Sequence, residues 1–182
     1  MTSANELEKR LVWVDLEMTG LDPAESIILE IATLVTNEDL EVVAVGPELV
    51  IHATEAELSR MAPIVVEMHQ KNGLTDRVRA SKTTLAEAEE ATYAFLAQHV
   101  APKTAPLCGN SVWKDKQFME KYMPRVMGLL HYRIVDVSSI KELVRRWYPA
   151  VPPPEKSERH RALDDIKESI AELSHYRRGV FR

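Results

Sequence analysis

Apolar residues crowd the front of the chain in runs of strand length. Leu11-Val12-Trp13-Val14-Asp15-Leu16-Glu17 is rich in β-branched and aromatic residues and predicts a strand, with Gly20 and Asp22-Pro23 marking a turn behind it. Ile27 to Val35 is a second run, and Glu41 to His52 a third that Gly46-Pro47 is expected to break. Three strands joined by short turns predict an antiparallel meander. The spacing then becomes helical. Thr84-x-x-Glu87 is a capping box, in which the two side chains satisfy free N–H groups of a first helical turn, and Leu85, Ala88, Phe95 and Leu96 follow. Pro106 to Asn110 fits a buried strand end. Phe118, Met119, Tyr122 and Met123 predict a helix stopped near Pro124, and Arg133 to Val137 a further strand. Ser139-x-x-Glu142 is a second capping pattern, ahead of a stripe made by Ile140, Leu143, Val144 and Trp147. A Pro-rich loop (Pro149, Pro152 to Pro154) leads into a last helix carrying Leu163, Ile166, Ile170 and Leu173. The order β-β-β-α-β-α-β-α predicts an α/β fold, a mixed sheet with helices on its faces. No repeat or linker divides the chain, so residues 1–182 are expected to form a single domain with residues 1–9 flexible.

Charge narrows the classes of partner. The net charge is -5, whereas a protein gripping a long duplex by its phosphates needs a basic face to displace counterions. A nucleic-acid substrate would therefore be short, or bound metal would supply the positive charge. Cys108 is the lone cysteine, so no intrachain disulfide forms, in keeping with a reducing compartment. The polar start lacks the apolar core of a secretion signal, and no run approaches the roughly 20 apolar residues of a membrane span. The expectation is a cytoplasmic protein with no membrane partner.

Three groups of residues could carry chemistry. Asp15 and Glu17 alternate on an apolar strand and so point the same way, roughly 7 Å apart. Their repulsion and desolvation are costly unless a cation lies between them, and oxygen-only ligands favour Mg²⁺ or Mn²⁺. The plainer alternative is the solvated face of an edge strand. His160 and Asp165 lie where the Pro-rich loop enters the last helix, although acid at a helix start also has a purely structural use against the dipole. Helical geometry does not choose between Asp164 and Asp165, both off the apolar stripe. Asp115 follows the small polar turn Gly109-Asn110-Ser111, where sites often form, but by composition alone it is an ordinary surface acid.

Family resemblance separates these alternatives. Asp15-Leu16-Glu17-Met18-Thr19-Gly20-Leu21-Asp22 resembles the first exonuclease motif of the DEDD superfamily, in the Met-Thr-Gly-Leu version typical of oligoribonucleases. Cys108-Gly109-Asn110-Ser111 followed by Asp115 resembles the second motif. His160-Arg161-Ala162-Leu163-Asp164-Asp165-Ile166 resembles the third, with the histidine spacing of the DEDDh branch. His131-Tyr132-Arg133-Ile134-Val135-Asp136-Val137-Ser138, and Lys141-Glu142-Leu143 with Arg145-Arg146-Trp147, are further oligoribonuclease signatures. The similarity runs from Leu11 to Arg178.

The resemblance implies an RNase H-like fold: a five-stranded mixed sheet, three antiparallel strands first, flanked by helices. It implies a 3′-to-5′ exoribonuclease that degrades very short RNA, dinucleotides above all, to nucleoside 5′-monophosphates. Two divalent cations per site, Mg²⁺ or Mn²⁺, would flank the scissile phosphate roughly 4 Å apart, held by Asp15, Glu17 and Asp165 with Asp115 in support. His160 would be the general base, a task suited to an imidazole titrating near neutrality. Ser111, Arg133 and Ser138 would close a cap on the 5′ phosphate, with Tyr132 reaching across from the partner of a homodimer. Leu21 resembles a wedge between the bases, and His69 a residue near the 5′ end. The sequence departs from the family at Ile64, where Trp is common; Ile cannot stack a base. Trp13 and Trp147 are expected to pack internally. Rival readings are a DEDDh exonuclease acting on tRNA 3′ ends or single-stranded DNA, which calls for a basic track, and an inactive binding fold, which calls for loss of an acidic ligand or of the histidine.

Overall fold

The computed structural model describes residues 4–154 and 161–181. In chain order the elements are α1 (Ala4–Glu8), β1 (Leu11–Met18), β2 (Ile28–Thr36), β3 (Val42–Val50), α2 (Glu55–Leu58), α3 (Pro63–Lys71), α4 (Leu74–Ala80), α5 (Leu85–His99), β4 (Leu107–Gly109), α6 (Trp113–Tyr122), α7 (Pro124–Leu129), β5 (Ile134–Asp136), α8 (Val137–Trp147) and α9 (Ala162–Gly179). The strands form one sheet in the order β3-β2-β1-β4-β5. The β1–β2 and β2–β3 pairs are antiparallel, and β1–β4 and β4–β5 are parallel. This is the expected mixed sheet of five strands with an antiparallel meander first. The segment expected to be a flexible start holds the short helix α1.

Strand alternation sorts β1 between two cores. Val12, Val14 and Leu16 join Ala88 and Leu96 of α5 and Phe118 and Met119 of α6 on one face. Trp13 joins Ala32 and Leu34 of β2 and Ala162, Ile166, Ile170 and Leu173 of α9 on the other. Asp15 and Glu17 share the parity of Trp13, so they stand on the α9 face. Trp13 is fully buried, with its indole N–H donating to Thr36 Oγ1 at 3.0 Å. A third cluster, Leu29, Leu58, Met61, Leu74 and Val78, lies under α2–α4.

Several local expectations change in the structure. Gly46-Pro47 does not break β3; the register slips by a residue between the Ala32–Glu48 and Leu34–Val45 pairs, a bulge that absorbs the proline. A Cβ on Gly46 would lie 2.2 Å from Thr33 Oγ1 and 2.6 Å from Phe95, so glycine lets α5 press on the sheet there. The Thr84–Glu87 capping box forms, and so does an equivalent Thr54–Glu57 box on α2. The expected Ser139–Glu142 box does not. Helix α8 starts earlier, with Asp136 accepting from the Ser138 N–H at 2.9 Å, and Glu142 pairs instead with Arg145 and Arg146. Trp147 is not packed: it is 65% exposed because only the Val137 and Val144 side of α8 is buried.

Candidate active site

The carboxyl ends of the parallel strands β1, β4 and β5 meet at one end of the sheet, the place where open α/β sheets usually build sites. β1 delivers Asp15 and Glu17, and the first turn of α9 delivers Asp165. Ligand atoms of these three carboxylates lie within 4.8 Å of one another. Asp115, in the first turn of α6, is buried, and its Oδ1 accepts from the Leu16 N–H at 3.0 Å, between the two acids of β1. Asp165, rather than Asp164, joins the three-carboxylate cluster among the described residues. His160 lies outside the described residues.

The cluster is electrostatically unfavourable by itself. Burial pushes the Glu17 carboxyl up to about 8, with Asp165, Glu30 and Asp115 adding to it and Arg77 opposing it. Asp15 is raised well above the usual carboxylate range, first by burial and then by Asp115, Glu17, Asp165 and Glu30. Burial lifts Asp115 to about 7 in spite of its backbone hydrogen bonds. Such a set of oxygen donors, crowded and desolvated, fits a hard divalent cation that supplies the missing charge.

Glu30 is a member of this neighbourhood that the sequence reading passed over. It sits directly opposite Glu17 in the β1–β2 register and has no exposed surface. Arg77 of α4 pairs with it through two nitrogens, at 2.5 and 3.4 Å. The available signal was a single acid inside the otherwise apolar run of β2.

His69 does not line the open face. It is fully buried on α3, with Nε2 donating to the Met18 carbonyl at 2.9 Å and Nδ1 3.8 Å from Glu17 Oε2. Its place is behind Glu17, so in this structure it offers no surface to a substrate. Burial lowers its pKa, partly offset by the Met18 carbonyl and Glu30.

The remaining candidates lie outside the carboxylate cluster. Leu21 and Tyr132 are 71% and 72% exposed, unpacked in the monomer, and Ile64 is as open at 72%. Arg133 is exposed, its guanidinium 5.3 Å from the centre of the Tyr132 ring. Ser111 and Ser138 meet at the ends of β4 and β5, with their hydroxyl oxygens 3.1 Å apart. Ser111 has φ +51, a left-handed conformation held by its N–H donating to Asp136 Oδ1 and Ser138 Oγ.

Comparison with known proteins agrees with this geometry. The family model described as Exonuclease matches residues 12–173. Oligoribonuclease from Corynebacterium glutamicum is 54% identical over 177 residues, covering 96% of this chain and 81% of that protein. That from Aeromonas hydrophila is 51% identical, covering 96% and 97%. The chain belongs to the oligoribonuclease family. The human mitochondrial oligoribonuclease, 48% identical, covers the whole of this chain and 78% of its own length. As a family member the protein is a nuclease, a hydrolase of the 3′-to-5′ exoribonuclease class. Exonuclease I structures share the fold: one from Methylocaldum szegediense has a TM-score of 0.72 at 18% identity over 93% of this chain, and another 0.75 at 14%. This chain spans only about 40% of those two longer chains. Among the described residues no helix is long and apolar enough to cross a membrane.

Proposed function

We propose that this oligoribonuclease removes nucleotides from the 3′ end of RNAs only a few residues long, dinucleotides foremost, using two Mg²⁺ or Mn²⁺ ions. The observation that carries the reading is the convergence of Asp15, Glu17 and Asp165 within 4.8 Å, in a setting that penalises the charge of the first two. These three would hold the metal, and Asp115 would steady the β1 backbone between the first two. When bound, the ions would activate water and stabilise charge developing on the phosphate. His160 would take the proton of the attacking water. Arg133, Ser111 and Ser138 would grip the 5′ phosphate, as a guanidinium and hydroxyls suit an anion, and Leu21 would separate the bases. His69 would act from behind, keeping Glu17 and Met18 in place.

A closed cap explains substrate length without a basic track: a phosphate held at one end leaves room for few nucleotides before the metal site. We further propose that residues 1–182 act as one exonuclease domain, that two copies share the cap through Tyr132, and that the enzyme works in the cytoplasm. Burial pushes the Cys108 thiol up, which suits a thiol not used in chemistry.

The test is a time course on 5′-labelled RNAs of two to seven nucleotides, with Mn²⁺ or Mg²⁺ and with EDTA. The dinucleotide should be consumed fastest and EDTA should stop the reaction. Cleavage that survives EDTA, or that speeds up steadily with length, contradicts the reading.

A further inference from the structure

Helix α9 has a polar stripe that begins at the metal site with Asp165 and runs on beyond it. Asp165, Ser169, Glu172 and Tyr176 recur at intervals of four, three and four, one face of a helix. Ser169 and Glu172 are buried, Glu172 to 1% exposure. A buried carboxylate needs partners, and Glu172 Oε1 takes the Tyr176 hydroxyl at 3.0 Å and the Lys141 ammonium at 3.3 Å. Its other oxygen takes the Asn110 amide at 3.2 Å, and the same Nδ2 donates to Ser169 Oγ at 2.8 Å.

Those contacts fix the direction of every proton out to the surface. A carboxylate only accepts, so the nitrogen end of Asn110 faces α9 and Oδ1 faces outward. Oδ1 then accepts from the Ser138 hydroxyl at 3.2 Å. With its proton committed there, Ser138 Oγ is an acceptor for the Ser111 N–H at 3.0 Å and for the Ser111 hydroxyl at 3.1 Å. The Ser111 hydroxyl proton thus rests on Ser138 until a ligand competes for it, and its oxygen keeps a lone pair facing out, while Ser138 holds Ser111 in its left-handed conformation. The two serines are the outer end of a chain of hydrogen bonds rooted in α9.

The same helix therefore carries Asp165 at the metal site and the anchor of the serine pair seven residues on, a rise of roughly 10 Å along a rigid element. We infer that Asn110, anchored on Ser169 and Glu172, is a positioning residue that sets the 5′-phosphate pocket at a fixed distance from the metal site, and so sets the length of RNA the enzyme prefers. This rests on the reading of Ser111, Ser138 and Arg133 as a phosphate cap. Asn110 need not touch substrate to act this way.

The test compares a dinucleotide bearing a 5′ phosphate with the same dinucleotide lacking it, in wild type, Asn110→Ala and the milder Ser169→Ala. Wild type should show a KM lower by about tenfold for the phosphorylated form. Asn110→Ala should lose most of that ratio through KM, and Ser169→Ala part of it, while the Mn²⁺ dissociation constant measured by calorimetry stays unchanged. Should Asn110→Ala fail to fold, a reduced ratio in Ser169→Ala still supports the inference. An unchanged ratio in the folded variants overturns it, as does an equal loss on both substrates together with weakened Mn²⁺ binding, the mark of a merely structural role. Absence of 5′-phosphate discrimination in wild type overturns the cap reading itself, and this inference with it.

Discussion

Glu17 carries part of the electrostatic cost of the site, which it shares with Asp15 and Asp115. In the metal-free protein its carboxyl holds a proton up to about pH 8, whereas in an unfolded chain it releases it near 4.5. The folded state binds more protons between those values, so this contribution to stability is whole below the unfolded pKa and is lost as pH rises through the folded one. Asp15 and Asp115 act in the same direction. A cation reverses the trend, because it binds the ionised carboxylates. The Tm of the metal-free protein should therefore fall from pH 5 to pH 8, and the Tm gain from saturating Mn²⁺ should grow over that interval; a gain independent of pH would show that Glu17 is ionised without metal. Glu17→Gln should make the metal-free profile less steep, with Asp15 and Asp115 supplying the remaining slope, and raise its Tm at pH 8, yet cut activity on the order of 10²-fold or more. Ile64 presents the opposite case, an exposed aliphatic side chain with nothing to lose on replacement. Base stacking on an aromatic is worth about 1–3 kcal/mol, so Ile64→Trp should tighten dinucleotide binding about fivefold or more in a fluorescence titration. Unchanged or weaker binding would remove Ile64 from the base-binding surface.

At the scale of elements, legibility follows the length of the pattern. β1 and β2 are long enough for alternation and β-branching to declare them, and the parity of Asp15 and Glu17 comes with them. α3 and α4, nine and seven residues long, span too few turns for an apolar stripe to emerge, so the helices carrying His69 and Arg77 were not foreseen. The start of α8 was misjudged for another reason. Asp136 and Ser139 both suit an N-cap locally, and Asp136 also accepts from the Ser111 N–H on a different element, a tertiary contact that local pattern does not contain. Arg77 shows what the missed helices do. It compensates Glu30, whose charge is wholly buried across from Glu17. Removing one partner of such a pair costs more than removing both, since it leaves an uncompensated charge. Arg77→Met should destabilise the metal-free protein by about 3 kcal/mol in urea unfolding at pH 8. Arg77→Met combined with Glu30→Leu should recover most of that loss; an additive double variant would mean that the two residues do not act as a pair.

Across the whole molecule, the candidate site draws Asp15, Glu17 and Asp165 together, with Asp115 bonded to the β1 backbone between the first two. Side-chain chemistry marked these acids as candidates, but only family resemblance ranked them, because spacing along a chain says nothing about meeting in space. The same limit applies between chains. Tyr132 stands 72% exposed beside Arg133, with Leu21 equally open, which is the surface expected if a second copy completes the cap. Sharing of that kind makes the subunits complementary. Tyr132→Ala leaves its own metal acids intact but deprives its partner's site of the tyrosine, whereas Asp15→Asn destroys its own metal site and still lends its tyrosine. Each variant alone should be nearly inactive on dinucleotides. After unfolding and refolding together in equal amounts, half of the dimers should be mixed, each with one working site of two, restoring about a quarter of wild-type activity. Sedimentation should report a dimer for all three proteins. If the mixture stays as inactive as its components while the dimer is intact, each cap uses its own Tyr132 and the subunits work independently.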